Sequence, residues 1–493
     1  MIEQIHRLVG LYQQVVANPP WTDWSGFWVQ YVLLGFDPRF LVVYCLPLVG
    51  ILLLFPRKHL RLGLVLTNIA FMGYLFGLLF VPYWFMFIIF YYWLAERYDR
   101  DLKRQEQLWW NPTIAVIILL FVGFIWQLGL AGIRIPSELN RWIFEHLPWV
   151  FPLGARKVAW EPYFLPIAEN IESRPPQLYF TIFCLPQISG FVILTIRMMS
   201  YFSEIKRGTI PREKRTFWRF LAFNSFCPLN MQGPIERYKE FNERLDAAHD
   251  RRSWYGAATG LFRIALGIVK NLFCLFFLTP SLLPNIFPVY YAHPEQVDNY
   301  WMLFGWIHLE VLWLYLMFSG YCDVAIGAAR ILGYYATENF KYPFLARSLT
   351  DMWRRWHITL SEILRDYVFL PLARKRWGLT ACMLVTFTVC AILHNVNGSY
   401  LAWGIVMGLM VTVNQKWARW MRDLDRHPER RTSRIRRAWL KLQPLPMIVA
   451  WFFTLNMFNL SGLICLGGWG GARVLWEIIR RPAVGLAQMM GLT

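Results

Sequence analysis

The stretch Leu379-Thr-Ala-Cys-Met-Leu-Val-Thr-Phe-Thr-Val-Cys-Ala-Ile-Leu-His-Asn-Val-Asn-Gly-Ser-Tyr-Leu-Ala-Trp-Gly-Ile-Val-Met-Gly-Leu-Met-Val-Thr-Val413 decides the fold class. It contains two apolar runs, 379–393 and 399–413, separated by the polar break His394-Asn-Val-Asn-Gly398. Neither run holds an Asp, Glu, Lys or Arg. A helix needs about 20 mainly apolar residues to cross the hydrocarbon of a bilayer. Runs slightly shorter than that suit helices that are tilted, re-entrant or buried within a bundle.

The same pattern recurs at 40–55, 62–80, 82–95, 113–132, 178–201, 257–278, 300–318 and 446–467. The chain therefore reads as an all-α polytopic membrane protein with about ten to eleven transmembrane helices, plus re-entrant and amphipathic cytoplasmic helices. Composition agrees. Of the 493 residues, 56% are hydrophobic, 18% aromatic and 16% charged. Soluble domains run at about 45–50% apolar and about 25% charged. The abundance of Trp, Phe and Tyr excludes intrinsic disorder. The eight cysteines form no CxxC pair and read as small apolar residues. Residues 1–39 lack the pattern of a signal peptide, so insertion is expected to fall to the first span. Three segments are expected: N-terminal membrane helices over 1–200, a core with cytoplasmic amphipathic pieces over 201–415, and a basic segment with a last membrane helix over 416–493.

The formal net charge of +19 indicates an orientation. Segments 56–61, 96–112, 202–256, 320–378 and 414–445 alternate onto one side of the membrane and hold 37 of the 50 Lys and Arg residues. The opposite-side connector 279–299 has none. The positive-inside rule makes the rich side cytoplasmic and puts the N-terminus outside. The aromatics Phe217, Trp218, Phe220, Phe223 and Phe226, mixed with basic residues, suggest interfacial helices on anionic lipid. No nucleic-acid partner is expected for such a stripe in a polytopic protein.

Ionisable residues inside apolar runs are costly and mark candidate sites. They are Arg197, Arg263, Lys270, His308, Glu310 and, at a run's end, His394. Arg197 and Arg263 are placed to snorkel, and Glu310 to pair with Lys270 or Arg263. His357 lies in a predicted amphipathic helix that begins near Thr350 or Asp351. Met352, Trp356, Leu360, Ile363 and Tyr367 form its apolar stripe, and Arg354, His357, Ser361 and Arg365 a polar line at steps of three and four. By spacing alone His357 is a solvated helix residue or faces a water-filled cavity. By spacing alone His394 either satisfies helix-end carbonyls or is a buried imidazole suited to taking a proton from an attacking hydroxyl. No phosphate-binding loop, no His-Glu-x-x-His and no His-x4-Asp occurs at these histidines.

Several motifs then resemble one family. They are Gly233-Pro-Ile-Glu-Arg-Tyr238, Phe318-Ser-Gly-Tyr-Cys-Asp-Val-Ala-Ile-Gly327, Glu338-Asn-Phe340, Ser348, Trp353-Arg-Arg-Trp-His-Ile-Thr-Leu-Ser361, Leu364-Arg-Asp-Tyr-Val-Phe-Leu-Pro-Leu372, and His394 with Trp403-Gly404. Over roughly 223–404 the sequence resembles the membrane-bound O-acyltransferases. The resemblance is to the bacterial branch of alginate O-acetylases and the D-alanyl transfer protein of teichoic acid synthesis.

The resemblance implies helices around a central channel, in the cytoplasmic (inner) membrane of a bacterium. It makes His394 and His357 catalytic. Arg354, Arg355 and Arg365 become donor-binding, and Asp323, Ser361, Asn395 and Trp403 channel or supporting residues. No bound cofactor and no metal are implied. The donor is an acyl thioester, acetyl-coenzyme A or an acyl-carrier phosphopantetheine, reaching the channel from the cytoplasm. The expected activity moves an acyl group, acetyl in the first instance, to a hydroxyl of an exported polysaccharide or a periplasmic relay acyltransferase or esterase-like partner. The alternatives are D-alanyl transfer from a carrier protein, or a non-catalytic channel or scaffold for glycan export. The motif around His394 reads Leu393-His-Asn-Val396 where the alginate type has Trp-His-Gly-Ala, so alginate itself is not assumed.

Overall fold

A computed structural model describes residues 61–67, 69, 80–103, 191–226, 229, 233–278, 290, 291, 293–297, 299–394, 398–427 and 429–489. Among them there is no strand. The principal helices are α1 (Phe80–Lys103), α2 (Phe191–Lys206), α3 (Phe217–Ser225), α4 (Tyr238–Ala248), α5 (Trp254–Phe273), α6 (Tyr300–Ile331), α7 (Leu349–Arg355), α8 (Ile358–Leu364), α9 (Leu370–Arg374), α10 (Leu379–His394), α11 (Gly398–Arg426), α12 (Arg431–Leu440) and α13 (Leu445–Met489). Trp254–Phe273, Tyr300–Ile331 and Leu445–Gly468 are long and apolar enough to cross a membrane. Leu379–His394 is a shorter apolar helix. The runs predicted at 40–55 and 113–132, and with them the full span count, lie outside the described residues. The chain packs as two units, 1–272 with 320–337, and 273–319 with 338–493.

The first unit is held by aromatic packing. Helix α4 buries Tyr238, Phe241, Asn242, Leu245 and Ala248, a helical stripe at steps of three, one, three and three. Tyr201 meets Tyr238 at 4.5 Å between ring centroids, Phe223 meets Phe241 at 5.3 Å, and Phe226 meets Tyr334 at 5.2 Å. The rings of these three pairs are tilted against one another by 47–59°, so none is a face-to-face sandwich, which ring quadrupoles disfavour. Phe220, Phe223 and Phe226 are thus core residues, which corrects the lipid-facing reading of that stripe. Trp218 alone of the set is strongly exposed. Arg197 does not snorkel. It is fully buried, donates to the carbonyls of Phe223 at 2.9 Å and Leu229 at 3.2 Å, and lies 5.2 Å from the Phe223 ring centroid. Two carbonyls and a ring face compensate a guanidinium that would otherwise be very costly to bury.

In the same unit α5 presents Gly256, Gly260, Ile264, Gly267 and Asn271 as one buried face. A Cβ on Gly260 would lie 2.7 Å from the Gly327 carbonyl oxygen, and one on Gly267 would lie 2.5 Å from that of Gly320. The two backbones therefore touch where no side chain fits. Beside this crossing, Asp323 accepts from Arg263 Nε at 2.9 Å and Lys270 Nζ at 2.6 Å. The partner predicted for those cations was Glu310; Asp323 takes both. This packing also explains why α6 continues to Ile331, past the predicted end of that run at Phe318. Gly320, Asp323 and Gly327 are helical residues on a buried face, not a connector.

In the second unit, α13 contains one non-helical residue. Gly468 has φ 56° and ψ −130°, a conformation open in practice to glycine alone, and it divides the helix. The predicted continuous helix from residue 350 to 366 is also divided. Ser348 caps α7, its hydroxyl accepting from Asp351 N at 3.1 Å, so the helix begins at Leu349, beside the start predicted near Thr350 or Asp351. The helix then stops at Arg355 and restarts at Ile358, because His357 adopts φ 45°, ψ 54°. Met352, Trp356, Leu360 and Ile363 are all buried, so the apolar stripe survives the break. The polar line does not: Arg354 and Arg365 are exposed whereas His357 is buried.

Candidate active site

His394 is the last residue of α10, where helix carbonyls run out of amide partners. Its Nδ1 lies 2.7 Å from the carbonyl oxygen of Cys390. A carbonyl only accepts, so Nδ1 carries the proton and donates. In the neutral ring Nε2 then keeps its lone pair. This bond, made one helical turn back along α10, fixes the tautomer of the ring. The side chain is also accessible, whereas most of α10 around it is buried or partly buried.

His357 is built the same way from different parts. Asn339 Oδ1 accepts from His357 Nδ1 at 3.1 Å, from Thr359 N at 3.3 Å and from Thr359 Oγ1 at 2.9 Å. The Asn339 carbonyl accepts from Ile358 N at 2.9 Å, and Lys341 N donates to the Arg355 carbonyl at 2.9 Å. A left-handed non-glycine residue costs about 1–3 kcal/mol, and this set of bonds offsets it. Nε2 is again the unprotonated nitrogen. Burial, with His394 within electrostatic reach, pushes the His357 imidazole down to about 3. The ring is therefore neutral at physiological pH.

An aromatic wall joins the two histidines. The His394 ring meets Trp403 at 6.1 Å, Trp403 meets Trp353 at 6.2 Å, Trp353 meets Phe458 at 6.0 Å, and Phe458 meets Trp356 at 5.2 Å. Trp356 meets Phe340 at 5.3 Å, Phe340 meets Phe318 at 5.1 Å, and Phe318 meets His357 edge to face at 4.9 Å. Such a wall keeps the surroundings of buried His357 apolar and strengthens any polar interaction made there.

The other predicted residues are placed as follows. Trp403 is part of the wall. Ser361 Oγ donates to the Trp356 carbonyl at 3.4 Å. Arg355 is paired with Asp351 at 2.9 Å and Arg365 with Asp366 at 2.6 Å, while Arg354 is exposed. Asp323 belongs to the first unit and its ion pairs. Asn395 lies outside the described residues. Sequence reasoning assigned no role to Asn339, although Glu338-Asn-Phe340 carried the signal, nor to Trp353 and Phe458. Among the described residues no group of His, Cys, Asp and Glu is arranged to hold a metal.

The model of the membrane-bound O-acyltransferase family matches residues 169–467, more than half of the sequence and including both histidines. The chain belongs to this family. It is 28% identical over 360 residues to a probable alginate O-acetylase of Pseudomonas aeruginosa, covering 70% of this chain and 66% of that protein. It is 25% identical to the teichoic acid D-alanyltransferase of Bacillus subtilis, over 50% of this chain and 63% of the relative. It is 26% identical to the peptidoglycan O-acetyltransferase of Helicobacter pylori, over 50% and 43%. The matched part thus spans just under two thirds of these relatives at most. Family membership makes this a membrane protein, in keeping with its three long apolar helices.

Proposed function

We propose that the protein is a membrane O-acyltransferase that moves an acyl group, acetyl in the first instance, from a thioester donor to a hydroxyl of an exported glycan or of a relay protein. The observation that carries this reading is the His394 tautomer: Nδ1–H held by the Cys390 carbonyl, Nε2 unprotonated, the ring accessible. In the proposed step Nε2 takes the proton of the acceptor hydroxyl as its oxygen attacks the thioester carbonyl. The C–O bond forms, the C–S bond breaks, and the proton passes from His394 to the departing thiolate. The relatives named for alginate, teichoic acid and peptidoglycan support a cell-envelope or exported acceptor. The asymmetry of Lys and Arg supports a cytoplasmic side for donor entry, and the family supports an inner-membrane location. Exposed Arg354 suits a phosphate of coenzyme A or phosphopantetheine; Arg355 and Arg365 would join it by leaving their present carboxylate partners.

The tetrahedral intermediate needs a hydrogen-bond donor for its oxyanion. Both imidazoles offer bare nitrogens, so neither serves while neutral. Trp353 Nε1 is a buried donor with no protein acceptor, in the wall that leads to His394. Leaving such a group unmet costs about 1–3 kcal/mol, which an oxyanion would recover. Trp353→Phe is expected to lower kcat about 10²–10³-fold with little change in KM. An unchanged kcat in steady-state transfer assays would remove the indole from this role.

The decisive test supplies the full chain in liposomes with radiolabelled acetyl-coenzyme A or with a carrier protein charged with labelled acetyl or D-alanine. Label reaching a glycan or relay-protein acceptor identifies the donor. Transfer of D-alanine but not acetyl would select the teichoic-acid type of reaction. No transfer from any of the three would overturn the reading.

A further inference from the structure

Glu310 is a carboxyl within an apolar helix, and its predicted cationic partners are committed to Asp323. Its carboxylate instead accepts from the Tyr291 hydroxyl at 2.6 Å. Among the described residues no Lys or Arg pairs with it. A carboxyl in that setting is expensive and needs an explanation.

Its position supplies one. The Tyr291 ring lies so close to Gly467 that a Cβ there would overlap it, and the Tyr291 carbonyl oxygen would lie 2.7 Å from a Cβ on Gly470. The next residue after Gly467 is the left-handed Gly468, whose own Cβ direction meets Ser399 Oγ at 3.1 Å. Neighbouring Cα atoms are about 3.8 Å apart, so the Tyr291 ring and the Ser399 hydroxyl flank a single dipeptide. Ser399 precedes Tyr400, whose ring lies near-parallel to that of His394, at 19° and 6.4 Å. Cys465 is within electrostatic reach of both Glu310 and Cys390, the residue that holds His394. Glu310, Ser399, Tyr400 and His394 each present accessible surface.

We propose that Glu310, held by Tyr291, is an acceptor subsite beside His394, and that it binds a hydroxyl-rich, uncharged carbohydrate rather than a carboxylate-bearing one. The proposal rests on the acyltransferase reading for its purpose but not for its test. Tyr291 uses one of the hydrogen-bond positions on the carboxylate, and the rest suit sugar hydroxyls, which donate. With Glu310 ionised, a carboxylate on the sugar would meet like charge in surroundings of low dielectric. The Ser399 hydroxyl adds a second polar group of the kind that orients a sugar in a mainly apolar pocket.

The test measures binding and is independent of donor and catalysis. Saturation-transfer NMR on the detergent-solubilised full chain compares cellotetraose with tetragalacturonate. Wild-type protein is expected to bind cellotetraose at least tenfold more tightly. Glu310→Gln is expected to weaken cellotetraose about tenfold and to shrink the preference over tetragalacturonate, because the like charge is gone. Tyr291→Phe, which keeps the ring packed on Gly467, is expected to weaken cellotetraose by a smaller factor with the preference retained. A merely structural role for Glu310 would weaken both sugars together. That result, equal binding of the two sugars by wild type, or no cellotetraose binding, overturns the inference. Failure of acyl transfer with sugar selectivity intact would instead count against the acyltransferase reading alone.

Discussion

Acyl transfer by a His394→Ala protein is expected to fall about 10²–10⁴-fold, the usual contribution of a positioned general base. The fold is expected to persist. The imidazole bonds a carbonyl that the helix ladder already uses, on an accessible residue, so its loss costs little. The loss is therefore expected in kcat, with near-normal protein levels and thermal stability in detergent. Glutamine at the same place restores a donor for the Cys390 carbonyl but supplies no base, so His394→Gln is expected to be as inactive as the alanine variant. Acyl content of the exported polymer in cells carrying each variant is the measurement. Normal acylation with either would favour a channel or scaffold over an enzyme.

Asn339→Leu is expected to do the opposite kind of damage. One amide oxygen accepts from the His357 ring, the Thr359 amide and the Thr359 hydroxyl, all of them buried. Leucine fills a similar volume and leaves these donors unmet, at about 1–3 kcal/mol for each that finds no water. A destabilisation of about 3 kcal/mol is expected, with activity lost because the left-handed turn at His357 is no longer held. Asn339→Asp keeps an acceptor oxygen and is expected to stay much closer to wild type in both respects. Thermal unfolding in detergent and the transfer assay report the two effects separately. Equal stability of the leucine variant would show that other bonds hold this turn.

Much of this was legible in the sequence because it depends on local pattern. The apolar runs at 257–278, 300–318, 379–393, 399–413 and 446–467 each correspond to a helix, and the start predicted near Thr350 or Asp351 falls in the first turn of α7. The motif around Trp353 and His357 pointed to the site. What escaped depends on pairings distant in sequence. Nothing local says that Asp323, not Glu310, takes Arg263 and Lys270, since all are compatible in charge and the choice is made by which helix faces meet. Helical spacing placed His357 on a solvated line because it assumes unbroken α geometry. The left-handed turn is imposed by Asn339, which lies before α7 begins. Arg197 looked ready to snorkel because carbonyls that accept from it inside the first unit leave no mark on composition. The basic face that fixed an orientation is a property of the whole chain and stands as a proposal.

The crossing of α5 and α6 has a consequence for how such a protein can diverge. At Gly260 with Gly327, and at Gly267 with Gly320, each residue's missing side chain is the space the other's carbonyl occupies. In an ordinary core contact a larger residue on one side is tolerated once its neighbour becomes smaller. Here the neighbour is already the smallest residue there is. No compensating exchange exists within either pair, so these positions are closed to stepwise coevolution. Variation along this crossing has to enter elsewhere, at Ile264 or at the ions beside it.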